Sequence, residues 1–166
     1  MKKSQAIGST VSLVFAACSL AVNAAPMKEL DAYKASLGKW ACVVKELGSG
    51  KTFKSVAEKT AEFDGNTYVE RYYEIASADH PDAWKAIFIM SYDPQTNRWV
   101  RSGVDNSGER NAASSSGWSG DTWVWENDAV NIVITQKGAK AYVFGVDVKE
   151  GSGVKRVRRF VHALAS

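Results

Sequence analysis

"KASLGKWACVV", residues 34–44, decides the reading of the chain, because the residue spacing changes inside it. Upstream, residues 27–37 (MKELDAYKASL) bring Met27, Leu30, Tyr33 and Leu37 round at helical intervals. Pro26 suits the first turn of a helix, and Gly38 suits its exit, where a left-handed backbone costs glycine least. From Trp40 the period becomes two: Trp40, Cys42 and Val44 fall on one strand face, Ala41 and Val43 on the other. The stretch therefore predicts a short helix, a glycine hinge and a first strand that opens on a large aromatic.

Downstream the chain alternates, with turn signals at short intervals, and no second helix is predicted. The predicted strands are 39–45, 52–63, 67–76, 85–92, 98–105, 112–118, 122–126, 130–137, 140–148 and 154–164. The breaks carry turn chemistry: Asp64-Gly65-Asn66, Asp93-Pro94-Gln95-Thr96-Asn97, Gly120-Asp121 and Gly151-Ser152-Gly153. Such short connections join antiparallel neighbours. Ala86, Phe88, Met90 and Tyr92 share a face, as do Val130, Ile132 and Ile134, and Tyr142, Phe144, Val146 and Val148. Ten such strands bury their edges by closing, so the expected fold is all-β, an antiparallel up-and-down barrel of about ten strands with a short N-terminal helix. A two-sheet sandwich is the alternative, and it lacks the long crossing connections it needs.

Upstream, Lys2 and Lys3 precede an apolar run, Ile7 to Val22, and Val22-Asn23-Ala24 fits a small-residue cleavage site. Residues 1–24 are read as a signal peptide and 25–166 as one barrel domain, periplasmic or secreted, with no membrane span once the leader is removed. A lipoprotein reading at Cys18 is disfavoured because Phe15 stands at the first position of the box, where leucine is usual, and the residues after Cys18 stay apolar. Cleavage after Ala24 leaves Cys42 as the one thiol, so no internal disulfide forms and a packed core must hold the fold. It also removes two lysines, taking the formal charge from +3 to +1, a balance that does not point to nucleic acid.

Gly38-Lys39-Trp40, after a short helix and at the start of a strand, resembles the Gly-x-Trp signature of lipocalin-like barrels, the calycins. That resemblance implies that Trp40 packs across the closed end, with a basic side chain of the last strand over its ring. The last strand reads VKRVRRF from Val154 to Phe160, so Arg158 or Arg159 is the expected partner, and Gly38, Trp40, Arg158 and Arg159 are the expected closure residues. Residues 30–126 are also similar to a family of uncharacterised secreted bacterial lipocalin-like domains, through Tyr92-Asp93, Trp99 and Asp105-Asn106-Ser107-Gly108. A more distant resemblance is to nitrobindin, a ten-stranded haem barrel. It implies haem as an alternative cofactor with His162 as its ligand, although Ala41-Cys42-Val43-Val44 stands where that family has a glycine-rich stretch.

Other motifs carry less. Gly50-Lys51-Thr52 echoes a phosphate loop, but Lys45 stands where its first glycine belongs. No Gly-x-Ser-x-Gly elbow is present, and no catalytic residue is assigned. Asp79, His80 and Asp82 lie in the longest irregular connection, which is expected to overhang one rim of the barrel; no metal site is assigned. The six Trp and six Tyr are the best pointer to a ligand. Tyr72, Trp99, Arg101 and Trp125 are the candidate lumen residues, suited to a small hydrophobic or amphipathic molecule. A haem barrel, and a filled barrel acting through its outer surface, are the alternatives. Oligomeric state is not legible in the sequence.

Overall fold

The computed structural model describes residues 33–164 except 35, 139, 140 and 152, and gives only the backbone at 64 and 160–164. The leader and most of the expected helix lie outside these residues. Tyr33 and Lys34 are helical, and the turn closes with Ser36 N donating to Tyr33 O and Leu37 N to Lys34 O. Gly38 then takes φ 110°, the left-handed exit that its position in the sequence predicts.

Eleven strands follow: β1 (Gly38–Glu46), β2 (Thr52–Glu62), β3 (Thr67–Glu74), β4 (Lys85–Asp93), β5 (Arg98–Asp105), β6 (Arg110–Ser115), β7 (Trp118–Ser119), β8 (Thr122–Glu126), β9 (Val130–Gln136), β10 (Ala141–Glu150) and β11 (Gly153–Leu164). All pairings are antiparallel, in the order β6-β5-β4-β3-β2-β1-β11-β10-β9-β8, and a further β6–β8 pairing closes the cylinder. β7 is a two-residue hairpin partner of β8, so the barrel has ten staves. The predicted strand 112–118 is in fact broken: Gly117, at φ 94°, turns the chain after β6, and Ser115 Oγ accepts the Gly117 N–H at 3.1 Å.

The closure has two unequal joints. β1 and β11 pair over seven positions, Trp40↔Leu164 to Glu46↔Arg158. β6 and β8 share only Ser114↔Glu126. Side chains bridge this thin joint: Arg98 bonds Ser114 Oγ at 3.2 Å and Glu126 Oε1 at 2.5 Å, and Asn127 Nδ2 donates to Ala112 O at 2.9 Å.

The strand order confirms that the first and last strands meet, but the register corrects the expected stacking on Trp40. Arg158 faces Glu46 and Arg159 faces Lys45, five to six residues along β1 from Trp40. At about 3.3 Å per residue that places them about 17–20 Å away. Arg159 is exposed, and the Arg158 guanidinium bonds Glu46 Oε1 at 2.9 Å and Glu74 Oε1 at 3.4 Å. The closing indole is held otherwise. Trp40 is buried, its Nε1–H donates to Ser36 O at 2.8 Å, and its ring meets Tyr142 edge-on at 4.9 Å.

Candidate functional site

One half of the barrel is filled. Tyr33, delivered by the turn before β1, sits among Tyr68, Trp99 and Trp123 at ring-centroid distances of 4.3, 5.5 and 5.9 Å. Trp125 packs against Trp123 at 5.4 Å, and Tyr33 OH donates to Met90 Sδ at 2.7 Å. These inward-facing aromatics of β3, β5 and β8 make a solid plug, as small barrels often do. Beside it lies a void of about 20 Å³, bordered by Lys59, Trp118 and Tyr142, with room for about one water molecule.

The other half is hollow. A cavity of about 570 Å³ lies above the plug, in the range of small-molecule sites. Val130 and Ile132 of β9, Phe144 and Val146 of β10, and Val157 of β11 make an apolar wall; Phe88 and Tyr72 face it from β4 and β3. On β3, β4, β9 and β10 these positions are the inward set of alternating strands, delivered by a period of two, whereas Val157 sits at the bulge where β10 and β11 shift register.

A charged layer lies where cavity meets plug. Glu70 of β3 is 3.9 Å from the Lys59 Nζ of β2, and both are buried. Lys59 also lies over the Phe144 ring at 5.5 Å. Arg101 of β5 contributes a second cation, its guanidinium carbon 3.4 Å from the centroid of the Phe88 ring. Burial lowers the Arg101 pKa, and Glu70 and Tyr33 oppose that shift. Among the described residues no carboxylate comes within ion-pair distance of this guanidinium, and none of its N–H groups has a hydrogen-bond acceptor. Gly103 makes the arrangement possible: a side chain there would run into the Phe88 ring, which covers that stretch of β5 and lies against Arg101 on its rim side. Ala113, paired with Arg101 across β5–β6, adds no bulk on the other side. Arg101 also borders an outer hollow of about 470 Å³ along β4–β6, where Glu126 is already held by Arg98.

The rim is built around Glu74, whose side chain is buried. Its Oε2 accepts from Trp84 N at 3.0 Å and lies 2.7 Å from His80 Nε2; its Oε1 accepts from Arg158 at 3.4 Å. The His80 ring stacks on Phe53 at 3.9 Å. Trp84 is fixed a second time, Nε1 donating to Asp105 Oδ2 at 2.9 Å. Hydrogen bonds from Ser107 and Trp84 hold the Asp105 carboxyl at about 2, below the usual carboxylate range. The 75–84 connection is thus pinned over the cavity, with His80, Asp82 and Trp84 in its lining.

Of the lumen residues read from sequence, Tyr72 and Arg101 line the cavity; Trp99 and Trp125 lie in the plug beneath it. Burial raises the Tyr72 phenol pKa, with Ser55 beside it acting the other way. Cys42, buried between Trp40 and Val44 on the inward face, donates to Trp40 O at 3.6 Å, and burial pushes its thiol up to about 11. The backbone of His162 pairs with Cys42 and Tyr142, and its side chain lies outside the described residues. The sequence reading missed Lys59, Glu70 and Glu74. Each continues an inward alternation, Glu70 and Glu74 with Tyr68 and Tyr72, and Lys59 with Phe53, Ser55 and Ala57; that alternation was the available signal. Among the described residues no group of three or more His, Cys, Asp or Glu is arranged to hold a metal ion.

No protein-family model matches the chain, and no curated protein matches it. Among solved structures it is similar to Rv2717c from M. tuberculosis, with 12% sequence identity and a TM-score of 0.61 over 83% of this chain and 98% of that one. At that identity the likeness speaks for the fold alone, a closed ten-strand antiparallel barrel.

Proposed function

We propose that this is an exported binding barrel that holds a small hydrophobic or amphipathic molecule in the hollow half of its lumen. The observation that carries the reading is the cavity of about 570 Å³, apolar along β9–β11, with polar groups confined to its floor and rim. That division is the usual anatomy of a ligand pocket, in which apolar burial supplies affinity and a few fixed polar groups set orientation. The wholly filled barrel fits less well, because the aromatic plug stops half-way. The haem alternative also fits this cavity less well: the lining reaches β11 at Val157 and Arg158, and His162 lies four residues further along the strand.

The test is binding of the neutral dye Nile red, followed by its fluorescence. Saturable binding with micromolar affinity is expected for the wild type. Val130→Trp, which puts an indole into the cavity from the start of β9, is expected to weaken binding at least tenfold without unfolding the barrel. Unchanged dye affinity in that variant removes the lumen as the site. For export, the protein recovered from the periplasm or medium is expected to begin at Ala25, read by intact mass; a retained leader overturns that part.

A further inference from the structure

The floor of the cavity says what kind of molecule enters, and which end goes first. Lys59 and Arg101 bring two positive charges to this layer, and Glu70 brings one negative charge. Glu70 is within 3.9 Å of Lys59 and acts on Arg101 only from beyond ion-pair distance. Arg101 is therefore left with a full set of N–H donors and no acceptor among the described residues. A half-buried guanidinium that no carboxylate hydrogen-bonds carries a desolvation cost, which an anionic ligand in the cavity would offset. Its seat is prepared, with the Phe88 ring against it, no side chain at Gly103 and only a methyl at Ala113. The planar fork of donors matches a carboxylate, which it can take with two parallel hydrogen bonds.

Resting on the lumen reading above, we propose that the ligand is a monoanionic amphipath, a carboxylate on an apolar chain, bound head-down on Arg101. One added negative charge brings the floor to neutrality. The chain then runs from the floor toward the rim between Phe88 and the wall of Ile132, Phe144 and Val146, under Trp84. A cationic head is excluded by the same excess positive charge. A neutral one leaves the guanidinium unsatisfied.

Displacement of Nile red tests this with four probes: decanoate, decanol, decyltrimethylammonium and acetate. The wild type is expected to bind decanoate at least about tenfold more tightly than decanol, from charge-assisted hydrogen bonds alone. Decyltrimethylammonium should bind more weakly than either, and acetate, lacking a chain, should not displace the dye. In Arg101→Gln, the preference for decanoate over decanol is expected to be lost while both chains still displace the dye, which also reports that the cavity is intact. Arg101→Lys should recover part of the preference. Equal affinity for decanoate and decanol in the wild type, or a preference that survives Arg101→Gln, overturns the head-group assignment and leaves the lumen reading standing. Failure of the dye and of every chain to bind removes the lumen reading instead. If Arg101→Gln does not fold, wild type with carboxyl-¹³C decanoate decides. Its carboxyl should stay ionised at least one pH unit below its free value, and an unshifted titration overturns the proposal.

Discussion

Replacing Gly103 by alanine adds one methyl group, and the structure says where it must go. It would run into the edge of the Phe88 ring and lie 2.5 Å from the carbonyl oxygen of Ile87. The ring borders the cavity and can shift toward it, but the carbonyl belongs to a paired strand and cannot. Overpacking of this kind costs about 1–3 kcal/mol, against which the loss of glycine's freedom in the unfolded chain returns about 0.4–1 kcal/mol. Because one of the two obstacles is backbone, the upper part of the range applies, and a net loss of about 2 kcal/mol is expected. With a urea m-value of about 2 kcal/mol/M, the unfolding midpoint falls by about 1 M. Gly145→Ala is the matched control. Its methyl would meet only the guanidinium of Arg156, the mobile end of a partly exposed side chain that bridges to Asp147 on the outer surface. Such a pair is worth about 0–1 kcal/mol, so that variant should stay within about 1 kcal/mol of wild type. Urea melts of the two variants side by side make the measurement. Equal stability of both would refute the claim that Phe88 is seated against a bare β5 backbone, and with it the packing drawn beside Arg101.

The buried thiol makes stability pH-dependent in the alkaline range. Cys42 ionises near 8.5 in an unfolded chain but only at about 11 in the fold, so its contribution is complete below the first value and lost as pH rises to the second. The loss is at most about 1.4 kcal/mol per pH unit and should be missing from Cys42→Ala, so the wild-type-minus-variant difference falls as pH rises through this window; identical pH slopes for the two proteins would disprove it. At the rim, Glu74→Ala takes the acceptor from the Trp84 amide and a partner from His80 and Arg158. A cost of about 1–3 kcal/mol is expected, with faster hydrogen exchange at the amides around Trp84 than in β1 or β2. Exchange that is no faster there than in those strands would show that the 75–84 connection is pinned by something else.

The alternation of the chain, with a period of two, was enough to place nearly every strand to within about two residues and to sort most inward residues from outward ones. It did so for Trp40 with Cys42, for Phe88 with Met90, for Tyr72, and for the β9 and β10 residues that line the cavity. It was enough for the glycine hinge too, because a left-handed residue after a helical turn is a local requirement. The sequence reading passed over three charged residues of the inward face. Glu70, Glu74 and Lys59 obey the same alternation as their aromatic neighbours, yet a carboxylate or ammonium is stable inside only if a partner arrives from another strand, and pairing across strands is not a local property.

Register was the other quantity the sequence did not hold. Alternation is unchanged when one strand slides two residues past another, so it could state that the first and last strands meet without stating that Trp40 lies beside Leu164 and Glu46 beside Arg158. That slide separates a barrel closed by an indole–guanidinium stack from the one observed, in which the closed end is tied by Ser36 and Tyr142 and the arginine goes to the rim. The depth of the aromatic plug follows from register as well. Local residue types determined a barrel, and the shear between its strands decided which half is filled and which charges meet in the other.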